Sequence, residues 1–203
     1  MAFQGRRSGL PRHQQSAINI LMLSDMSSES VAVFPTKLGW VAFSMCGNLL
    51  LRLSFGHANP QSAATAVGQS LSQNRNSNEC PEDSAAELVD RLTAYAAGHF
   101  DDFLDIKTDI AHLSPFSRSI VEAVRRIPFG QTRSYGQLAA SVGRARAARA
   151  VGRVMAQNRT PLVVPCHRVV GSGGLIGGFS AIDGLNMKRR LLKLEAASVV
   201  AAR

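Results

Sequence analysis

The sequence predicts an α+β protein built as two small domains, a mixed strand-and-helix half followed by a mostly helical one. Three observations carry this. Short apolar runs at 31–34, 39–45 and 49–55, with Gly47-Asn48 as a hairpin turn between the last two, read as strands of one sheet. From Ser114 onward, apolar residues recur at helical spacing between capping signals. The charge is divided in the same place: residues 113–203 carry fifteen Lys/Arg against three Asp/Glu, whereas residues 1–112 carry eight against eleven. A chain of 203 residues suffices for one sizeable core or two small ones.

Taken in order, residues 1–28 are polar, with Arg6, Arg7 and Arg12, and read as a disordered extension or the product of a misplaced start, since Met22 and Met26 lie just ahead of the first patterned segment. The first domain is expected over 29–112. After its three strands come a helix over about 61–72 and a polar loop over 73–82. A helix then runs to about residue 97, opened by a capping box of Ser84 and Glu87. Residues 100–113 read as a strand fragment and linker.

The second domain is expected over 113–203. Ser114-Pro115 supplies an N-cap and a first-turn proline. Phe116, Ile120, Val121, Val124 and Ile127 then give a helix face, which Pro128-Phe129-Gly130 ends. Ser134 and Gln137 form another capping box, with Gly143 closing that helix. A third helix is predicted over about 145–157, burying Ala147, Ala150, Val151 and Val154 and presenting Arg146, Arg149 and Arg153 on another face. Two short helices joined by a glycine turn, the second studded with arginines, form a helix-turn-helix pattern. The charge bias reads either as a polyanion-binding face or as a solvated basic surface.

Cys46, Cys80 and Cys166 are an odd count without tight spacing, which argues against a disulfide framework and for reduced thiols. No apolar run reaches membrane-spanning length, and the run at 18–23 lacks the small-residue cleavage pattern of a signal peptide. An intracellular protein is therefore expected, cytoplasmic if bacterial and nuclear if eukaryotic, with no membrane partner. No pair of Cys/His residues has metal-ligand spacing, so neither a metal nor a cofactor is expected. His57, His99 and His112 read as surface or hydrogen-bonded residues, and Cys46 and Cys80 as structural.

Chemistry concentrates in Val163-Val164-Pro165-Cys166-His167-Arg168-Val169-Val170. A cysteine beside a histidine invites a nucleophile reading, because the thiolate attacks carbon and a nearby base generates it. Alone, it reads rather as an inert core thiol beside a surface histidine, because free cysteine is usually core. In an extended segment neighbouring side chains point to opposite sides, so His167 would reach the sulfur through a water. A histidine base needs an orienting partner. Glu195, near the inward face of a last helix over about 185–197, is one candidate; it reads otherwise as a boundary residue.

Pro165-Cys166-His167-Arg168-Val169 resembles the active-site signature of the O6-alkylguanine-DNA alkyltransferases. The likeness extends over residues 114–196, through Arg133-Ser134-Tyr135-Gly136-Gln137-Leu138-Ala139, Ala148-Arg149-Ala150-Val151-Gly152, Asn158, and the glycines at 173, 174, 177 and 178 ahead of Phe179-Ser180. The first half resembles the family only weakly, around residues 51–57. The resemblance implies a ribonuclease-H-like first domain and a winged-helix-like DNA-binding second one. It implies Cys166 as the alkyl acceptor, His167 as a base acting through water, Glu195 as its orienting partner, and Asn158 as a brace. Tyr135 would rotate the target nucleotide and Arg149 would fill the gap left in the duplex. Arg146, Arg153 and Ser134 would contact DNA, while the Val169 backbone and Ser180 would line the base pocket.

The implied activity is direct-reversal repair of O6-alkylguanine, with O4-alkylthymine as a further substrate. It would act in the minor groove of double-stranded DNA, by a monomer that flips the base and is consumed in one turnover. The alternative is a lesion-binding relative without transfer activity, but such relatives replace the cysteine. Departures from the family pattern are Ser117 and Val121, where many relatives carry Gln and Trp, and a longer loop over 180–185.

Overall fold

The computed structural model describes residues 29–68 and 82–201. Strands β1 (Glu29–Thr36), β2 (Gly39–Cys46) and β3 (Leu49–His57) form an antiparallel meander. Helices α1 (Pro60–Ala66) and α2 (Glu82–Ala96) follow, and β4 (Lys107–Thr108) then pairs parallel to β3. The sheet is covered on both faces. Val31, Val33 and Ala42 meet Ala63 and Ala64 of α1, while Ala32, Phe34, Phe43 and Phe55 meet Leu88, Leu92 and Tyr95 of α2. Burial on both sides explains why β1 reads as a continuous apolar run instead of an alternating one.

The second half contains α3 (Pro115–Arg125), β5 (Arg133–Ser134), α4 (Tyr135–Ser141), α5 (Ala148–Ala156), β6 (Val169–Val170) and α6 (Gly184–Ala201). Its core joins Ile120, Val121 and Val124 of α3 to Leu138 and Ala139 of α4 and Val151, Val154 and Met155 of α5. Five residues of this half instead enter the first core: Phe129, Leu162, Val163, Met187 and Leu191. The result is a mixed α+β fold, as the sequence predicts. Among the described residues no helix is long and apolar enough to cross a membrane.

The Ser114 hydroxyl caps α3 by accepting from Ser117 N at 3.2 Å, and both bonds of the Ser134–Gln137 box are present. Four expectations need correction. Helix α2 begins at Glu82, so Ser84 lies inside it and does not cap it. Helix α1 ends at Ala66, with Gly68 in the left-handed region at φ +88°, well short of residue 72. Helix α5 begins at Ala148, not near residue 145, because Ala147 N bonds back to Arg144 O in a turn; Arg146 therefore precedes the helix. Helix α6 runs to Ala201, beyond residue 197. The expected extension over 1–28, the polar loop as far as residue 81, and Cys80 lie outside the described residues.

Candidate active site

The reactive segment hangs on the turn after α5. Asn158 Nδ2 donates to Val164 O at 2.8 Å and to Cys166 Sγ at 3.2 Å, while its Oδ1 accepts from Thr160 N at 3.1 Å. Between these anchors Leu162, a non-glycine residue, takes φ +73°. Such a conformation persists only where the surroundings over-determine it. Cys166–Arg168 forms a single 3-10 turn, correcting the extended segment expected from the valines. Pro165 sets the entry, and Arg168 N closes on Pro165 O at 2.9 Å.

The turn sends its three side chains in two directions. Cys166, 4% exposed, borders a cavity of about 370 Å³ together with Tyr135, Met155, Gly178, Phe179 and Ser180. The Tyr135 ring also lies against Gly177, where an added Cβ would come within 3.3 Å of its hydroxyl oxygen. His167 and Arg168 are buried and turn toward Glu195 of α6.

Glu195, with no exposed surface, accepts from His167 Nε2 at 2.8 Å, Arg168 Nη2 at 2.9 Å, Gly130 N at 2.8 Å and the Tyr95 hydroxyl at 2.5 Å. Burial pushes the Glu195 carboxyl up, but the hydrogen bonds from His167 and Arg168 and the Arg168 charge outweigh it and hold the pKa at about 2. Burial lowers the pKa of His167 against the opposing pull of Glu195, so the imidazole is neutral near pH 7. Its Nδ1, also buried, has no hydrogen-bond partner among the described residues.

Burial raises the Cys166 thiol, opposed by the Asn158 amide, the Lys188 charge and the backbone N–H groups of Cys166 and His167. Lys188, fully buried on α6, donates from Nζ to Val169 O at 2.5 Å. A thiol kept protonated at rest, with a buried cation nearby and a neutral imidazole next to it in the chain, is arranged to form its thiolate during reaction.

The predicted residues thus divide. Asn158 bonds Cys166 and Glu195 bonds His167, two separate pairs held on consecutive residues of one turn, and Tyr135 and Ser180 line the cavity beside Cys166. Val169 is buried, with its carbonyl already accepting from Lys188. Arg149 and Arg153 are exposed on α5 and Arg146 is exposed before it, while the Ser134 hydroxyl is engaged as the cap of α4. Among the described residues no group of three or more His, Cys, Asp or Glu could hold a metal ion.

Three participants escaped the sequence reading: Tyr95, Arg168 and Lys188. Lys188 had a signal, since it precedes Glu195 by seven residues, two helical turns, and so shares its face of α6. Arg168 had one in its position within an apolar run. Tyr95 had none to distinguish it from an ordinary core aromatic.

The family model described as the 6-O-methylguanine DNA methyltransferase, DNA binding domain, matches residues 115–197. The methylated-DNA–protein-cysteine methyltransferase of Mycobacterium leprae is 43% identical over 121 residues, covering 59% of this chain and 71% of that protein. Its namesake from Mycobacterium bovis is 43% identical over 107 residues, covering 53% of this chain but only 62% of that protein's length. The crystal structure of Mycobacterium tuberculosis OGT in complex with DNA superposes with a TM-score of 0.62 at 30% identity, covering 83% of this chain and 93% of that one.

Proposed function

This chain belongs to the methylated-DNA–protein-cysteine methyltransferase family, and we propose that it repairs DNA by moving an alkyl group from the O6 atom of guanine onto its own Cys166. The observation that carries this is a Glu195–His167 pair in the same turn as a cysteine at the wall of a cavity of about 370 Å³. Glu195 accepts from Nε2 and so leaves Nδ1 of His167 as the basic nitrogen. A water between Nδ1 and Sγ carries the thiol proton to the imidazole as the sulfur approaches the alkyl carbon. The S–C bond forms and the O6–C bond breaks. Its electron pair passes to the guanine, which takes up a proton and is restored.

The alkyl carbon lies within the stacked duplex, so the nucleotide is extruded first, and a damaged, poorly paired base is cheaper to extrude. Tyr135 and Ser180 at the cavity mouth are the residues to receive that base. Arg149, assisted by Arg146 and Arg153, is the residue to hold the opened duplex from its minor groove. The expected monomer acts on O6-alkylguanine, with O4-alkylthymine as a further substrate. The thioether product has no easy leaving path, so each molecule reacts once.

The test is incubation with a duplex bearing one O6-methylguanine, followed by peptide mass mapping. One methyl per protein on the Cys166 peptide is expected, and none on any peptide of Cys166→Ala. Tight lesion binding with Cys166 unmodified would replace this reading with that of a non-transferring lesion binder. Repeated turnover would refute the single use.

A further inference from the structure

The network around Glu195 contains one member from the other half of the molecule. Tyr95 lies on α2, a full 100 residues from Glu195, and its ring is packed in the sheet core with Phe103 and Phe129 at centroid distances of 5.6 and 5.9 Å. Its hydroxyl nevertheless reaches Glu195 Oε1 at 2.5 Å and His167 Nε2 at 3.3 Å. Donor counting fixes the direction of each bond. Glu195 is ionised and can only accept, so the phenol proton points to Oε1. The phenol oxygen is then left with acceptor capacity alone, and the neighbouring Nε2 must carry a hydrogen. Burial, followed by the charge on Glu195, raises the phenol pKa, so the proton stays on Tyr95.

We propose that Tyr95 is a positioning residue for the alkyl transfer, through which the sheet half holds the His167–Glu195 pair and sets how strongly the carboxylate draws on the imidazole. This rests on the reading of Cys166 as alkyl acceptor. The phenol competes with Nε2–H for the same carboxylate oxygen, which limits the stabilisation Glu195 gives to a protonated His167. The groups bearing on His167 are Tyr95 from α2, Arg168 beside it in the turn, and Lys188 and Glu195 from α6. Of these only Tyr95 is uncharged, so its removal changes the hydrogen bonding without removing a charge.

Tyr95→Phe keeps the ring and deletes the hydroxyl. Expected is an alkyl-transfer rate about tenfold lower on the high-pH plateau, the kinetic equivalent of one charge-assisted hydrogen bond. The acid limb of the pH profile should move to higher pH, with lesion affinity close to that of the parent. The titration midpoint of the His167 imidazole, followed by NMR, should rise in step.

The chain has only two tyrosines, so 3-fluorotyrosine incorporated in a Tyr135→Phe background labels Tyr95 alone. This more acidic phenol is the stronger donor and should lower the His167 midpoint, the opposite direction. Midpoints unmoved in both proteins overturn the proposal, whatever happens to rate or stability. If Tyr95→Phe does not fold, the fluorinated protein decides alone. The NMR arm needs no alkyl transfer, so a failure of Cys166 to accept a methyl is seen separately from a failure of Tyr95 to tune His167.

Discussion

Two arginine–carboxylate clusters sit in different regions of this molecule, and their contrast shows where its stability and reactivity are decided. Arg91 on α2 makes four hydrogen bonds of 2.6–2.8 Å to Asp101 and Asp105 and lies over the Phe103 ring at 5.3 Å. Arg168 makes contacts of 2.9–3.1 Å to the single carboxylate of Glu195, bonds Ile127 O at 2.7 Å and lies over Phe129. By bond count the two arginines are equal, with four each. Yet the Asp105 side chain is 63% exposed, whereas Arg168 and Glu195 are 1% and 0% exposed. Water can replace Asp105 in the first cluster and neither partner in the second.

Breaking the buried cluster should have the largest effect. Arg168→Met leaves Glu195 ionised in the interior without its main cation, at a cost of about 3–5 kcal/mol in urea unfolding. A loss below about 1 kcal/mol would mean that Tyr95, His167 and Gly130 suffice to satisfy the carboxylate.

The pH dependence of stability should give a smaller effect and sharpen the assignment. The pKa of His167 is lowered in the fold, so as pH drops below about 6.5 the unfolded chain takes up a proton that the native state resists, and stability falls. Glu195 adds to this in the same direction. Its folded pKa of about 2 lies below the ordinary 4.5, so its contribution is complete above pH 4.5 and is lost as pH falls towards 2. Melting temperature against pH should therefore decline below 6.5 and again below 4.5. Glu195→Gln should remove the lower decline, whereas Arg91→Ala should retain both. A flat profile from pH 7 to 3 would show that the fold lowers neither pKa.

The smallest effect is expected at the exposed cluster. Arg91→Ala should cost about 1 kcal/mol or less despite its four bonds, and less still at high salt. A loss comparable with that of Arg168→Met would erase the distinction between the two regions.

The sequence revealed most where the physics is local. The caps of α3 and α4 involve residues three apart, and the strands of the meander follow from apolar runs and a glycine turn. The start of α2 escaped because a capping pair marks one place where a helix can begin without preventing upstream residues from joining it. The turn at Cys166–Arg168 escaped because the preference of valines for extended backbone yields to anchors outside the turn, chiefly the Asn158 amide. Cys166, His167 and Glu195 were legible through motif and helical face. Tyr95 was not, since a contact across 100 residues has no local periodicity to betray it.

Arg125, at the end of α3, has a consequence for how the halves can move. Its Nη2 donates to the carbonyls of Phe103, Leu104 and Ile106, in the segment whose other side Arg91 clamps through Asp101 and Asp105. Irregular backbone between two helices is where a hinge or a protease-sensitive tether is usually sought. Here the carbonyls that a hinge would free are held by Arg125, and the carboxylates of the same segment by Arg91. The connection acts as a weld, and the alignment of α2 with the reactive turn is transmitted through it as a fixed length.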